Sequence, residues 1–151
     1  MRLPALSLIA LGLCGAAAAQ EISLRLPIDC EVGRSCFIQH YVDRDPTSET
    51  RDHQCGTLTN DGHDGTDFRV PNTAAMRAGI DVLAAAGGMV LRTRDGVEDV
   101  SVAKRGRDAV ENVECGNGAV IDHGNGWQTQ YCHMAEGSLR VKPGDVVKAG
   151  A

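Results

Sequence analysis

Gly124-Asn125-Gly126 stands between two strand-like runs, Ala119-Val120-Ile121 and residues 127–133, and it restricts the fold more than any other stretch. Asparagine and glycine accept the positive φ that a tight β-turn needs, so the flanking runs are expected to pair as an antiparallel hairpin. The same punctuation recurs. Gly87-Gly88 separates residues 80–86 from residues 89–93, with Asp95-Gly96 beyond, and predicts a second tight hairpin. Pro143-Gly144, inside Val141-Lys142-Pro143-Gly144-Asp145-Val146-Val147, predicts a further short β unit. Eighteen glycines against 3% aromatic residues point to a turn-rich β fold rather than a helical bundle. With 42% hydrophobic residues, its core must rest on Val, Ile, Leu and Ala.

The remaining elements are short. Ile22, Leu24 and Leu26 alternate within residues 20–29 and predict a strand. Residues 43–62, with Asp45-Pro46, Cys55-Gly56 and Asp61-Gly62, predict an extended loop. Residues 68–71 suggest a strand closed by proline, and residues 73–77 one helical turn capped by Thr73. Residues 95–112 form a charged surface excursion with a short helix near 108–112. No internal repeat is present. The fold class expected is mainly β, with an antiparallel sheet core. Because Lys148-Ala149-Gly150-Ala151 ends one strand into a hairpin, the core is expected to be C-terminally incomplete.

Residues 1–19 have the layout of a secretory signal peptide. Arg2 is a positive n-region, residues 3–14 an apolar core, and Ala17-Ala18-Ala19 a cleavage site before Gln20. The apolar run is too short for a membrane span, so no transmembrane segment is expected in the mature chain. Leu13 is too large for the small residue that normally precedes a lipid-modified cysteine, so Cys14 is expected to leave with the signal. Periplasmic or extracellular export makes disulfides the expected state of Cys30, Cys36, Cys55, Cys115 and Cys132. Cys115 and Cys132 could staple neighbouring strands. Cys30, Cys36 and Cys55 then compete for one bridge, and spacing alone does not choose. No pair has the C-x-x-C spacing of a zinc cluster. A net charge of −5 without a basic face argues against nucleic acid.

Two segments carry candidate chemistry. In His63-Asp64-Gly65-Thr66-Asp67, an imidazole and a carboxylate sit in a glycine-rich loop that enters a strand. Both are good Zn²⁺ ligands, and the glycines let the backbone bend so that they meet one ion. Taken alone, the segment describes a solvated Asp-Gly turn better than a metal site. It does not fit an EF-hand, which needs a glutamate at fixed spacing. In Tyr131-Cys132-His133-Met134, His133 lies near a strand end, where it could act as a general base or as a structural hydrogen-bonding group.

The order of Gly62 to Asp67, residues 85–90, residues 116–126, Tyr131 to Met134 and residues 141–147 resembles the LytM or lysostaphin-type peptidoglycan peptidase core. The resemblance implies a zinc-dependent endopeptidase that hydrolyses peptide cross-links of bacterial cell walls, with peptidoglycan peptide stems as partner. It implies that His63 and Asp67 bind zinc and that His133 is catalytic. It divides the chain into a signal peptide (1–19), a cysteine-containing extension (20–61) and a partial LytM-type core (62–151). The family's His-x-His motif, which supplies the third ligand, is absent from the five histidines here, so the chain alone is expected to be inactive. None of His40, His53 and His123 has a spacing that marks it as a replacement. A non-catalytic LytM-type regulator that activates other wall hydrolases is the alternative; retention of His63, Asp67 and His133 together favours the enzyme. A lipoyl-like carrier lacks its Asp-Lys-type turn.

Overall fold

The computed structural model describes residues 21–151, so the expectations for residues 1–19 lie outside it. Nine short elements follow in chain order. They are β1 (Phe37–His40), β2 (Asp67–Arg69), α1 (Thr73–Ala78), β3 (Gly88–Arg94), α2 (Val102–Arg105), a 3-10 turn (Asp108–Val110), β4 (Asn117–Gly124), β5 (Trp127–Met134) and β6 (Val146–Val147). They make two antiparallel sheets: a two-stranded one, β1-β2, and a four-stranded one in the order β5-β4-β3-β6. The mainly β expectation holds.

The β4-β5 hairpin forms as the turn chemistry demands. Asn125 (φ 53°) and Gly126 (φ 81°) both take the left-handed conformation, and Gly124 pairs with Trp127 across them. β4 is one of the two inner strands, and its residues 117–121 are buried in succession. Ala84, Ala85, Val90, Ile121 and Tyr131 form the core, with Met134, Val141 and Val147 packed against it. This is the small-residue, aliphatic core that the composition required. The Tyr131 hydroxyl reaches beyond it and accepts the backbone N–H of Ala85 at 2.7 Å, which satisfies a buried donor.

Gly87-Gly88 is not a hairpin turn. Residues 80–86 do not pair with β3; they run beside the N-terminal segment, through Arg25 N–H to Ala85 O (2.8 Å), Leu83 N–H to Pro27 O (2.9 Å) and Asp29 N–H to Asp81 O (2.9 Å). That segment in turn is no regular strand, because Pro27 has no N–H to give to a ladder. Only the isolated bridge Ile28–Val82 marks it. Gly88 instead opens β3, where a Cβ would lie 2.2 Å from the Asp122 carbonyl oxygen and 2.8 Å from Ile121 Cγ2. The glycine is there for close strand approach. α1 is capped by Asn72 rather than Thr73, its Oδ1 accepting the Ala75 N–H at 2.9 Å.

Two disulfides close the covalent frame. Cys115–Cys132 joins β5 to the residues just before β4, and Cys30–Cys36 closes a small loop that feeds β1. Cys55 is free and exposed. Among the described residues no helix is long and apolar enough to cross a membrane.

Candidate metal centre

The loop from Tyr41 to His63 is held from within by carboxylates. Asp52, 6% exposed, accepts N–H groups from Gln54 (2.8 Å) and Gly56 (2.9 Å) on Oδ1 and from Leu58 (3.1 Å) on Oδ2. Asp43 accepts from Arg51 (2.9 Å) and Asp45 (3.1 Å) on Oδ1 and from Gly62 (3.0 Å) on Oδ2. These donors stabilise the charged forms. Asp43 is held below the ordinary carboxylate value chiefly by the Arg51 N–H, and Asp52 chiefly by the Gly56 N–H. A lowered folded-state value means that the stabilisation is complete above the unfolded carboxylate range, about pH 4, and is lost as pH falls through the folded value. Asp52→Asn is therefore expected to lose stability at pH 7, since an amide nitrogen cannot accept the Leu58 N–H. It should also flatten the fall in stability between pH 5 and pH 3. Urea unfolding of both proteins across that range checks the sign.

The loop delivers His63 to the start of β2. Its Nδ1 lies 2.8 Å from the Tyr41 carbonyl oxygen, and its Nε2 lies 3.2 Å from Asp67 Oδ2. A carbonyl only accepts, so Nδ1 carries the proton and neutral His63 presents a lone pair at Nε2. That lone pair faces a carboxylate oxygen, another acceptor. Such a contact is favourable only with a positive charge shared between the two atoms, either an added proton on the ring or a metal ion. Two tetrahedral Zn²⁺ ligands at ~2.0–2.1 Å lie about 3.3 Å apart, so the donor pair fits one ion. The fit is partial: among the described residues, no group of three or more His, Cys, Asp or Glu is arranged to hold a metal.

His40 is the residue that spacing did not flag. It is the last residue of β1 and sits directly across from Asp67 on β2, with Nδ1 3.0 Å from the same Oδ2. Its ring meets the His63 ring edge-on, with centroids 5.7 Å apart. The other histidines are elsewhere. His53 packs edge-on to Tyr41 at 4.5 Å. His123 has both nitrogens engaged, Nδ1 with Gly87 O (2.9 Å) and Nε2 with Thr129 Oγ1 (2.8 Å), which makes it a sheet-bracing group.

His133 lies on the four-stranded sheet. It has φ 60°, uncommon for a side-chain-bearing residue, at the irregularity between the Ala119–Tyr131 and Asn117–Met134 pairs. Its N–H donates to Cys115 O at 2.8 Å, beside the Cys115–Cys132 disulfide. Such a bulge re-aims a side chain out of the alternation of its strand. Among the described residues, no hydrogen bond, ion pair or ring contact joins His133 to His63 or Asp67.

The sequence model of Peptidase family M23 matches residues 61–151, from the metal loop through the whole four-stranded sheet. The chain belongs to this family. M23 members are peptidases and are typically zinc-dependent, which agrees with a histidine and a carboxylate set to share a cation. The M23 match begins two residues before His63, so β1 and His40 lie ahead of it. No curated protein and no solved structure gives a significant match.

Proposed function

We propose that the chain is part of an exported zinc endopeptidase that hydrolyses the peptide cross-links of peptidoglycan, with His63 and Asp67 as two of its metal ligands and His133 as the catalytic histidine. One observation carries the metal half of this reading: two acceptors, His63 Nε2 and Asp67 Oδ2, face each other at 3.2 Å. Zinc, when bound, polarises a scissile carbonyl and makes its water a nucleophile near pH 7. This chain's residues prepare for that role. Tyr41 O fixes the His63 tautomer so that Nε2 is free to ligate, and Asp67 adds a negative charge that favours a divalent cation. His133, raised from its strand by the bulge, is the residue type suited to taking a proton from the attacking water and giving it to the leaving amine. Family membership supports peptide-bond hydrolysis. The order of motifs from Gly62 to Val147 supports the bacterial wall as substrate.

The test is digestion of purified peptidoglycan by the protein isolated from its own cells. New free amino groups should appear in step with solubilisation, and a zinc chelator should stop both. Release of reducing sugar ends without new amino groups would put the cut in the glycan strand and overturn the reading.

A further inference from the structure

β1 and β2 pair as Phe37–Arg69 and Ile38–Phe68, and an even register would then set Gln39 against Asp67. It does not. The register slips by one residue, and His40 takes the place opposite Asp67. Directly opposed residues in an antiparallel pair project to one face, so the bulge chooses which side chain meets the carboxylate. His40 Nδ1 lies 3.0 Å from Asp67 Oδ2, and its side chain is 25% exposed. Asp67, at 40%, is the more open of the two, and among the described residues its hydrogen-bonding and ion-pair side-chain partners are His40 and His63.

We infer that His40 is a positioning residue of the metal centre: its Nδ1–H donates to Asp67 Oδ2 and holds that carboxylate facing His63 Nε2. The inference rests on the zinc reading above. An ionised carboxylate only accepts, so the 3.0 Å contact is a hydrogen bond when the proton sits on His40 Nδ1; the carbonyl that sets the opposite tautomer in His63 contacts that ring and not His40, and a protonated nitrogen has no lone pair for a metal. The geometry therefore makes His40 an outer partner of the ligand rather than a third ligand. Without it, Asp67 keeps its charge but is free to turn toward water, and ordering it again weakens ion binding. Asn60 Nδ2, 3.4 Å from the same His40 nitrogen, is a donor that would need a lone pair there, and the shorter 3.0 Å carboxylate contact outweighs it in placing the proton.

Outer-shell partners of metal ligands typically contribute about 10–100-fold in affinity. His40→Ala is expected to weaken zinc binding within that range, measured by competition with a chromophoric chelator at pH 7 on the oxidised protein. His40→Asn places an amide N–H where Nδ1–H stood and should restore most of the affinity. Thermal melting of the metal-free variants checks folding, and His63→Ala serves as the reference for loss of a ligand. Unchanged affinity in His40→Ala overturns the inference. So does a His40→Asn protein as weak as His40→Ala, since only direct ligation by the imidazole would then explain the loss. Zinc binding unaffected by His63→Ala overturns the metal reading itself, on a separate variant from those that test His40.

Discussion

Replacing His63 with alanine is expected to reduce zinc affinity and peptidoglycan hydrolysis together, each by more than the roughly 100-fold that marks the upper range for an outer partner. The two should fall in parallel because the ring supplies a bond to the ion rather than a contact with substrate. The fold should survive. The His63 side chain is 22% exposed and is tied to the protein by its ring nitrogen at Tyr41 O. Around it the loop is still closed by Asp43 and Asp52 through backbone N–H groups that the substitution leaves in place. Circular dichroism and melting of the metal-free variant separate loss of the ion from loss of structure. Hydrolysis retained by a folded His63→Ala protein would falsify the ligand assignment.

A large loss of stability is expected at Gly88, and its neighbour provides the contrast. An alanine methyl at Gly88 would lie 2.2 Å from Asp122 O, 2.8 Å from Ile121 Cγ2 and 2.9 Å from His123 Nδ1. Two of these belong to the centre of the sheet and have nowhere to move, so β3 would have to separate from β4. Overpacking of this kind costs about 3 kcal/mol at the severe end of its range. At Gly87 the nearest atom to an added methyl is Val147 O at 3.4 Å, which is ordinary contact. Gly87→Ala should therefore remain within about 1 kcal/mol of the unaltered protein, as substitutions without a clash usually do. Denaturant unfolding measures both. Equal losses at the two positions would mean that the pair acts as a turn after all.

That contrast also shows which parts of the fold are legible in a sequence. Gly124-Asn125-Gly126 announces its hairpin because the turn is local and its positive φ values belong to Asn125 and Gly126 themselves. Gly87-Gly88 carries the same letters for a non-local reason, the approach of β4 about thirty residues downstream, and local pattern cannot tell the two apart. At the candidate site, His63 and Asp67 were visible because only three residues, Gly65 among them, separate them. His40 was not. It lies 27 residues before Asp67, and only a one-residue slip in the register puts it, rather than Gln39, against the carboxylate. Even correct assignment of both strands would have selected the wrong side chain. The disulfides divide the same way: Cys115–Cys132 follows from the hairpin between them, whereas the choice of Cys30–Cys36 over Cys55 depends on the folded loop that Asp52 organises.

The placement of the candidate residues on two sheets bears on how such a protein can change over generations. His63, Asp67 and His40 ride on β1, β2 and the loop between them, while His133 belongs to the hairpin of β4 and β5, and no strand of one sheet touches a strand of the other. On the proposed reading, the ion-binding residues and the proton-handling histidine therefore rest on different sheets. A lineage could lose the first while keeping the second sheet, its core and whatever surface that sheet offers, without paying in foldability.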